Sequence, residues 1–148
     1  LNIERKKAKY QDMALLYELN RRAMKEHIID NFGSWDESGQ RQNFEESTDI
    51  SAHELLFDGE RPFGFINIFE HEHELHINRL CIVPEFQSRG IGTALLTELI
   101  VSNPPKRPIR LQVFHRNPAA NLYRRLGFKK TKVTPTHIHM VYKSIVER

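Results

Sequence analysis

A short glycine-containing segment, Gln87-Ser88-Arg89-Gly90-Ile91-Gly92, has the residue types that bind a phosphate group. It follows an apolar stretch that ends in Val83 and Pro84, and it leads into a predicted helix. The free N–H groups at a helix N-terminus carry about half a positive charge, and glycines let that backbone approach a ligand. Because Arg89 adds a cation, the pattern predicts a pyrophosphate site. The alternative is a tight strand-to-helix turn whose glycines serve packing alone.

The common phosphate-binding loops do not fit this segment. A P-loop needs Gly-Lys followed by Ser or Thr, which is missing here. A dinucleotide-binding loop needs a third glycine and an acidic residue at the end of the next parallel strand, and both are missing. The strand before the segment also follows a predicted hairpin, which is not typical of a doubly wound sheet.

Hydrophobic periodicity predicts the elements that must position this segment. Apolar residues spaced by three and four predict helices over 12–27, from 34 or 36 to 45, over 90–101 and over 118–126. Alternating or continuous apolar runs predict strands over 51–57, 62–69, 74–83, 109–114, 128–134 and 137–143, after a first strand ahead of the first helix. The order predicts a mixed α/β (α+β) fold with a strand-helix-strand unit at its centre.

Two motifs resemble those of the GNAT superfamily of N-acyltransferases. Gln-x-x-Gly-x-Gly after a strand ending in Val-Pro is similar to the acetyl-CoA motif of that family. Downstream, Asn117 to Phe128 is similar to its second motif, which ends Leu-Tyr-x-x-x-Gly-Phe. The resemblance covers nearly the whole chain. It implies one N-acetyltransferase domain over 1–148, with a mostly antiparallel sheet of six or seven strands and about four helices.

The resemblance implies an acyltransferase that moves the acetyl group of acetyl-CoA directly to a primary amine. The amine could belong to a small metabolite, a protein lysine or a protein N-terminus. The resemblance assigns the pyrophosphate to the backbone of Gln87, Ser88, Arg89, Gly90, Ile91, Gly92 and Thr93. It assigns the pantetheine arm to the backbone of Leu80, Cys81 and Ile82, one N–H of which would face the thioester oxygen. Asn117 would contact the cofactor, cap the helix at Pro118, or do both.

Two side chains are candidates for proton transfer in this reaction. Tyr123 matches the family's tyrosine and is predicted to be the general acid, because a phenol with a reference pKa of about 10 stays protonated at neutral pH. The alternative is an aromatic packing role. His76 lies where some family members carry a carboxylate, and a neutral imidazole there could accept the amine proton, directly or through water.

Three alternatives remain open at this point. The domain could be a catalytically silent acetyl-CoA sensor, although Tyr123 favours an enzyme. The run from His71 to His76 could hold a metal, although a solvated hairpin end is the simpler interpretation, and we predict no metal. Cys81 could be a nucleophile, although a cysteine in a buried strand is typically inert packing.

Composition limits the class of protein. The chain has 148 residues, one cysteine and a net charge of +3, so we expect no disulfide framework and a reducing, cytoplasmic setting. Its basic clusters are too short to predict nucleic-acid binding. No apolar run approaches the roughly 20 residues that cross a bilayer, so we expect no membrane partner. An antiparallel strand pair at the C-terminus could offer the edge for a homodimer.

Overall fold

The computed structural model describes residues 2–104 and 107–144, which form a seven-stranded sheet and four helices. The elements are β1 (Ile3–Lys7), α1 (Met13–Phe32), α2 (Glu37–Ser47), β2 (His53–Asp58), β3 (Arg61–Glu70), β4 (Leu75–Ile82), α3 (Ile91–Ser102), β5 (Ile109–Phe114), α4 (Ala119–Arg125), β6 (Lys129–Val133) and β7 (His137–Tyr142). The strand order is β1-β2-β3-β4-β5-β7-β6. The β4–β5 ladder is parallel, whereas β1–β2, β2–β3, β5–β7 and β6–β7 are antiparallel. The predicted fold class is confirmed.

The chain divides into two compact units. The first comprises residues up to Ile68 together with Arg79–Phe86, and the second comprises Phe69–Asn78 together with the chain from Gln87 onward. Buried aromatic and aliphatic side chains fill the first unit, among them Leu16, Phe44, Leu56 and Phe65. The second unit buries Leu75, Leu96, Ile109, Phe128 and Met140. The single N-acetyltransferase domain over 1–148 stays a prediction.

Helix α1 is longer than its sequence pattern predicted. The predicted end near His27 is wrong, because the helix continues to Phe32. No glycine or proline interrupts residues 28–32, and the first residue that can stop the helix is Gly33. Gly33 has a left-handed φ of 88°, and its N–H donates to the carbonyl of Ile29 at 2.7 Å. None of the described helices combines the length and apolarity needed to span a bilayer.

Strand β2 also starts later than predicted. Residues 50–52 form a single 3₁₀ turn before the strand begins at His53. The carboxylate of Asp49 accepts hydrogen bonds from the N–H and the hydroxyl of Ser51, at 3.1 and 2.7 Å. Such a local side-chain bond competes with strand pairing, so the apolar alternation predicted the strand but not its first residue.

Gly64 in β3 is required for the close approach of β4 within the first unit. A methyl group built on Gly64 would overlap the carbonyl oxygen of Cys81, a backbone atom that cannot rotate away. The N–H of Val83 donates to the carbonyl of Phe63 at 2.9 Å, which fixes the two strands at this spacing. Gly64 therefore sets the position of the strand segment to which the resemblance assigns the pantetheine arm.

We expect Gly64→Ala to lower the free energy of unfolding by about 3 kcal/mol, the upper end of the usual cost of overpacking, because the added methyl meets a fixed backbone atom. Urea denaturation of the variant measures the loss. The matched control is Gly39→Ala in α2, where the added methyl meets only the movable carboxylate of Asp36. That variant should gain up to about 1 kcal/mol from helix propensity. Equal stability of the two variants would contradict the close-approach role.

Candidate active site

The loop before α3 has the backbone conformation of an anion cradle. Ser88 has φ of 61° and Gly90 has φ of 78°, and Arg89 between them does not have a positive φ. Alternating signs of φ direct successive N–H groups toward one point, as in the nests that bind phosphates. The segment from Gln87 to Gly90 is exposed. The first helical hydrogen bond is from Ala94 N–H to Gly90, so the three amides before Ala94 have no acceptor inside the helix.

The two glycines of the motif have different roles. A side chain at Gly90 would meet nothing within 4 Å, so the space above this residue is open. Glycine is favoured here because the backbone has a positive φ. A methyl group at Gly92 would come within 2.9 Å of a Leu122 methyl carbon on α4. Gly92 therefore serves helix packing, and Gly90 shapes the loop. The packing interpretation of the motif therefore applies to Gly92, and the phosphate site at Gly90 stays a prediction.

Residues immediately before the loop are anchored by packing and ion pairs. Phe86, which is buried, stacks on Phe63 with ring centroids 4.6 Å apart. Glu85 pairs with Arg22, and with Arg61 at 3.5 Å. These contacts fix the chain immediately before Gln87.

The predicted pantetheine strand segment lies in the first unit. Cys81 is 4% exposed, and burial raises the pKa of its thiol to about 12. A thiol that stays protonated at neutral pH is a poor nucleophile, so the structure favours the packing role of Cys81. Leu80 and Ile82 are half-buried. Only the backbone of these residues was assigned to the cofactor, and that assignment stays a prediction.

His76 lies where the β4–β5 ladder ends. That parallel ladder comprises two pairs, Leu75 with Ile109 and His76 with Arg110. Burial is the largest cause that lowers the pKa of His76, followed by charges that include Arg110, while Glu74 opposes the change. The imidazole is therefore unprotonated at neutral pH, as a general base must be.

Tyr123 lies in an aromatic cluster on the sheet face opposite to His76. Its ring contacts Phe128 at 5.7 Å, and Phe128 contacts Tyr142 at 5.6 Å. Tyr142 is paired with Ile109 in the β5–β7 ladder, so it shares the face of Ile109. His76 is paired with the next residue, Arg110, and so lies on the other face. Within the second unit, the predicted acid and the predicted base are thus on opposite sides of the sheet.

The helix-cap role of Asn117 is confirmed. Its side-chain oxygen accepts a hydrogen bond from the N–H of Ala119 at 3.0 Å. Its carbonyl accepts from the N–H of Ala120 at 3.1 Å. These bonds position the start of α4, which carries Tyr123. The contact of Asn117 with the cofactor stays a prediction.

The histidine run of the β3–β4 connection is a solvated turn. The N–H of His71 donates to the carbonyl of Glu74 at 2.9 Å, and the His73 side chain is 89% exposed. Within 2–104 and 107–144, no group of three or more His, Cys, Asp or Glu side chains is arranged to hold a metal ion. The turn therefore gives the metal-binding alternative no ligand set.

An open cleft of about 650 Å³ lies between α1 and α2. Its lining mixes acidic and basic side chains: Tyr17, Glu18, Arg21, Asp36, Glu37, Ser38 and Arg41. Most of these charges are already paired. Glu18 accepts from Arg21 at 3.1 Å, and Glu37 accepts from the Tyr17 hydroxyl and from Trp35 at 3.3 Å.

Comparison with known proteins places this geometry in a family. The model of the acetyltransferase (GNAT) domain matches residues 51–130. An uncharacterised N-acetyltransferase of Methanocaldococcus jannaschii is 32% identical over 91 residues, which cover 55% of this chain. The matched part spans 40% of that relative's length.

Solved structures share the fold. The PaiA N-acetyltransferase of Thermoplasma acidophilum, in complex with coenzyme A, superposes with a TM-score of 0.76 at 22% identity, covering 97% of this chain and 99% of the other. The ribosomal-protein-S18-alanine N-acetyltransferase of Escherichia coli gives a TM-score of 0.69 at 20% identity, covering 99% and 97%. At these identities the likeness describes the fold alone.

Proposed function

Because this chain belongs to the GNAT family of acetyltransferases, we propose that it transfers the acetyl group of acetyl-CoA to a primary amine. The observation that carries the proposal is the loop at Gly90. Its left-handed backbone, its exposure and the open space above it suit the pyrophosphate of a coenzyme A derivative. The related PaiA structure contains coenzyme A, which supports the same choice of donor here.

The residues of this chain fit the proton transfers that the reaction requires. Amide formation makes one C–N bond, breaks the C–S bond of the thioester, and moves one proton from the amine to the leaving thiolate. His76 accepts the amine proton as a neutral imidazole. Tyr123 donates a proton to the sulfur. Each role requires that the side chain come within hydrogen-bond reach of the reacting atoms when acetyl-CoA and the amine are bound.

The proposal is tested by calorimetric titration with acetyl-CoA, followed by an assay of thiol release across a panel of amines. Mass spectrometry of the product must then show one acetyl group on the amine for each thiol released. Binding of acetyl-CoA without acetylation of any amine would indicate the silent sensor instead. Absence of binding would contradict both functions.

We expect His76→Gln to lower kcat/KM by about 100-fold, because general bases contribute at least that much. Glutamine keeps the size and polarity of the side chain but cannot accept a proton at neutral pH. In the wild type, the rate should fall with decreasing pH through a pKa below the ordinary value of about 6.5, since burial disfavours the charged imidazole. A pH–rate profile should show that this acidic limb is lost in the variant.

The control for this prediction is His73→Gln, which changes an 89% exposed histidine in the neighbouring turn. That variant should keep both the wild-type rate and the acidic limb. If the rate of His76→Gln still falls at low pH as in the wild type, the base is another group or water.

A further inference from the structure

The sheet of the second unit has one face on which basic side chains collect. In the β4–β5 ladder His76 is paired with Arg110, and in the β5–β7 ladder Gln112 is paired with His139. Paired residues project to the same face, and residues two apart in a strand share it. We call this set the basic face; it comprises His76, Arg110, His137, His139, Lys129 and Lys132.

The opposite face of the same sheet is the covered one. Leu75, Ile109, Leu111 and Met140 alternate with the basic-face residues and are at most 4% exposed. The aromatic contacts of α4 also lie on that side, through Tyr142. On the basic face, in contrast, Lys129 and Lys132 are exposed, and the Arg110 side chain retains 41% exposure.

Among the described residues, the charges of the basic face are compensated only in part. Glu74 pairs with Arg110 at 3.4 Å. The His137 ring packs on Phe114 at 4.4 Å, and burial and then the neighbouring His139 and His115 lower its pKa. Lys129 and Lys132 add two permanent charges. The two lysines therefore leave this face with positive charge beyond the Arg110–Glu74 pair.

We propose that the basic face binds an acidic peptide segment, and that the enzyme therefore prefers amine acceptors that carry Asp or Glu near the reacting amine. This inference rests on the proposed function, because His76 is both the predicted base and a member of the face. An amine delivered to His76 would bring its neighbouring residues across Arg110, His139 and Lys132, where carboxylates gain from the positive potential.

Two observations favour a peptide over other ligands. The face has three permanent cations, one of them already paired, whereas proteins that bind nucleic acids commonly make about 6–10 phosphate contacts. In the first unit, Glu18 and Glu37 of the α1–α2 cleft are bonded to that unit's own arginine, tyrosine and tryptophan side chains. These two carboxylates are therefore already engaged and do not favour a cationic acceptor.

The test compares two charge reversals in one strand. Lys132 is paired with His139 on the basic face, whereas Lys130 is paired with Met140 on the covered face, and both lysines are exposed. Binding of a fluorescent peptide with Asp and Glu beside its amine is measured by anisotropy, next to an isosteric Asn and Gln peptide. Acetylation of both peptides is measured in parallel.

We expect the acidic peptide to bind at least fivefold more tightly than its amide counterpart, and this preference to fall as salt is raised. Lys132→Glu should remove the preference, whereas Lys130→Glu should retain it. Equal binding of the two peptides, equal effects of the two variants, or stronger competition by an oligonucleotide would overturn the proposal. Equal acetylation of acidic and neutral peptides would refute this inference alone, and so would acetylation of neither peptide by an enzyme that acetylates other amines of the panel. Acetylation of no amine at all would refute the proposed function.

Discussion

Gly90→Asp is expected to weaken acetyl-CoA binding by about 30-fold, the largest effect on affinity that a single loop substitution should give. Aspartate tolerates the left-handed backbone that Gly90 adopts with φ of 78°, so the loop can keep its shape. Its carboxylate would face the pyrophosphate at the helix N-terminus. Repulsion between the two charges at a partly solvated site costs on the order of 2 kcal/mol, which corresponds to that factor. Calorimetric titration measures it.

Gly90→Asn is the matched control for this substitution. Asparagine has the same shape as aspartate and tolerates the same backbone, but it is neutral. We expect a loss of only a few-fold in affinity, and thermal melting should show the same stability for both variants within a few degrees. If the two variants bind acetyl-CoA equally, the pyrophosphate does not lie at Gly90.

Removing the hydroxyl of Tyr123 should lower kcat by about 100-fold, since positioned general acids contribute at least this much. In Tyr123→Phe the ring still packs on Phe128, so the fold is retained. The dissociation constant for acetyl-CoA should change by less than about twofold, because the lost interaction acts on the leaving sulfur. Steady-state kinetics with a good amine acceptor, together with calorimetry, separates the two effects.

Tyr142→Phe provides the comparison within the same aromatic cluster. Tyr142 contacts Phe128 at 5.6 Å, but it lies on β7 and has no assigned role in proton transfer. Its variant should keep the wild-type kcat. If Tyr123→Phe keeps the wild-type kcat across the pH range, Tyr123 is a packing residue and not the general acid.

Local sequence signals predicted most of the fold, and they identified the loop at Gly90 as the candidate donor site. Apolar periodicity located the helices and strands, and two short motifs identified the family. The predicted end of α1, near His27, came from the apolar spacing alone. The helix continues to Phe32 because the first residue that stops it is Gly33. The apolar spacing also misplaced the start of β2, which the Asp49 side chain delays.

Features that depend on neighbouring strands could not be predicted from the sequence. Gly64 and Gly92 look alike in the sequence, but one lies against a backbone carbonyl of β4 and the other against Leu122. The basic face exists because β7 lies between β5 and β6 and sets which lysine faces His139. The register of β6 against β7 is set by strand pairing. A one-residue shift in that register would move every side chain of β6 to the other face.

The most direct test of the pyrophosphate site is a titration with acetyl-CoA followed by NMR of the backbone amides. The amides of Ile91, Gly92 and Thr93 precede the first helical hydrogen bond, and they are the groups predicted to hold the pyrophosphate. We predict that their resonances shift most and saturate with the affinity measured by calorimetry. Saturation that moves other amides and leaves these three unchanged would contradict the site proposed for the donor.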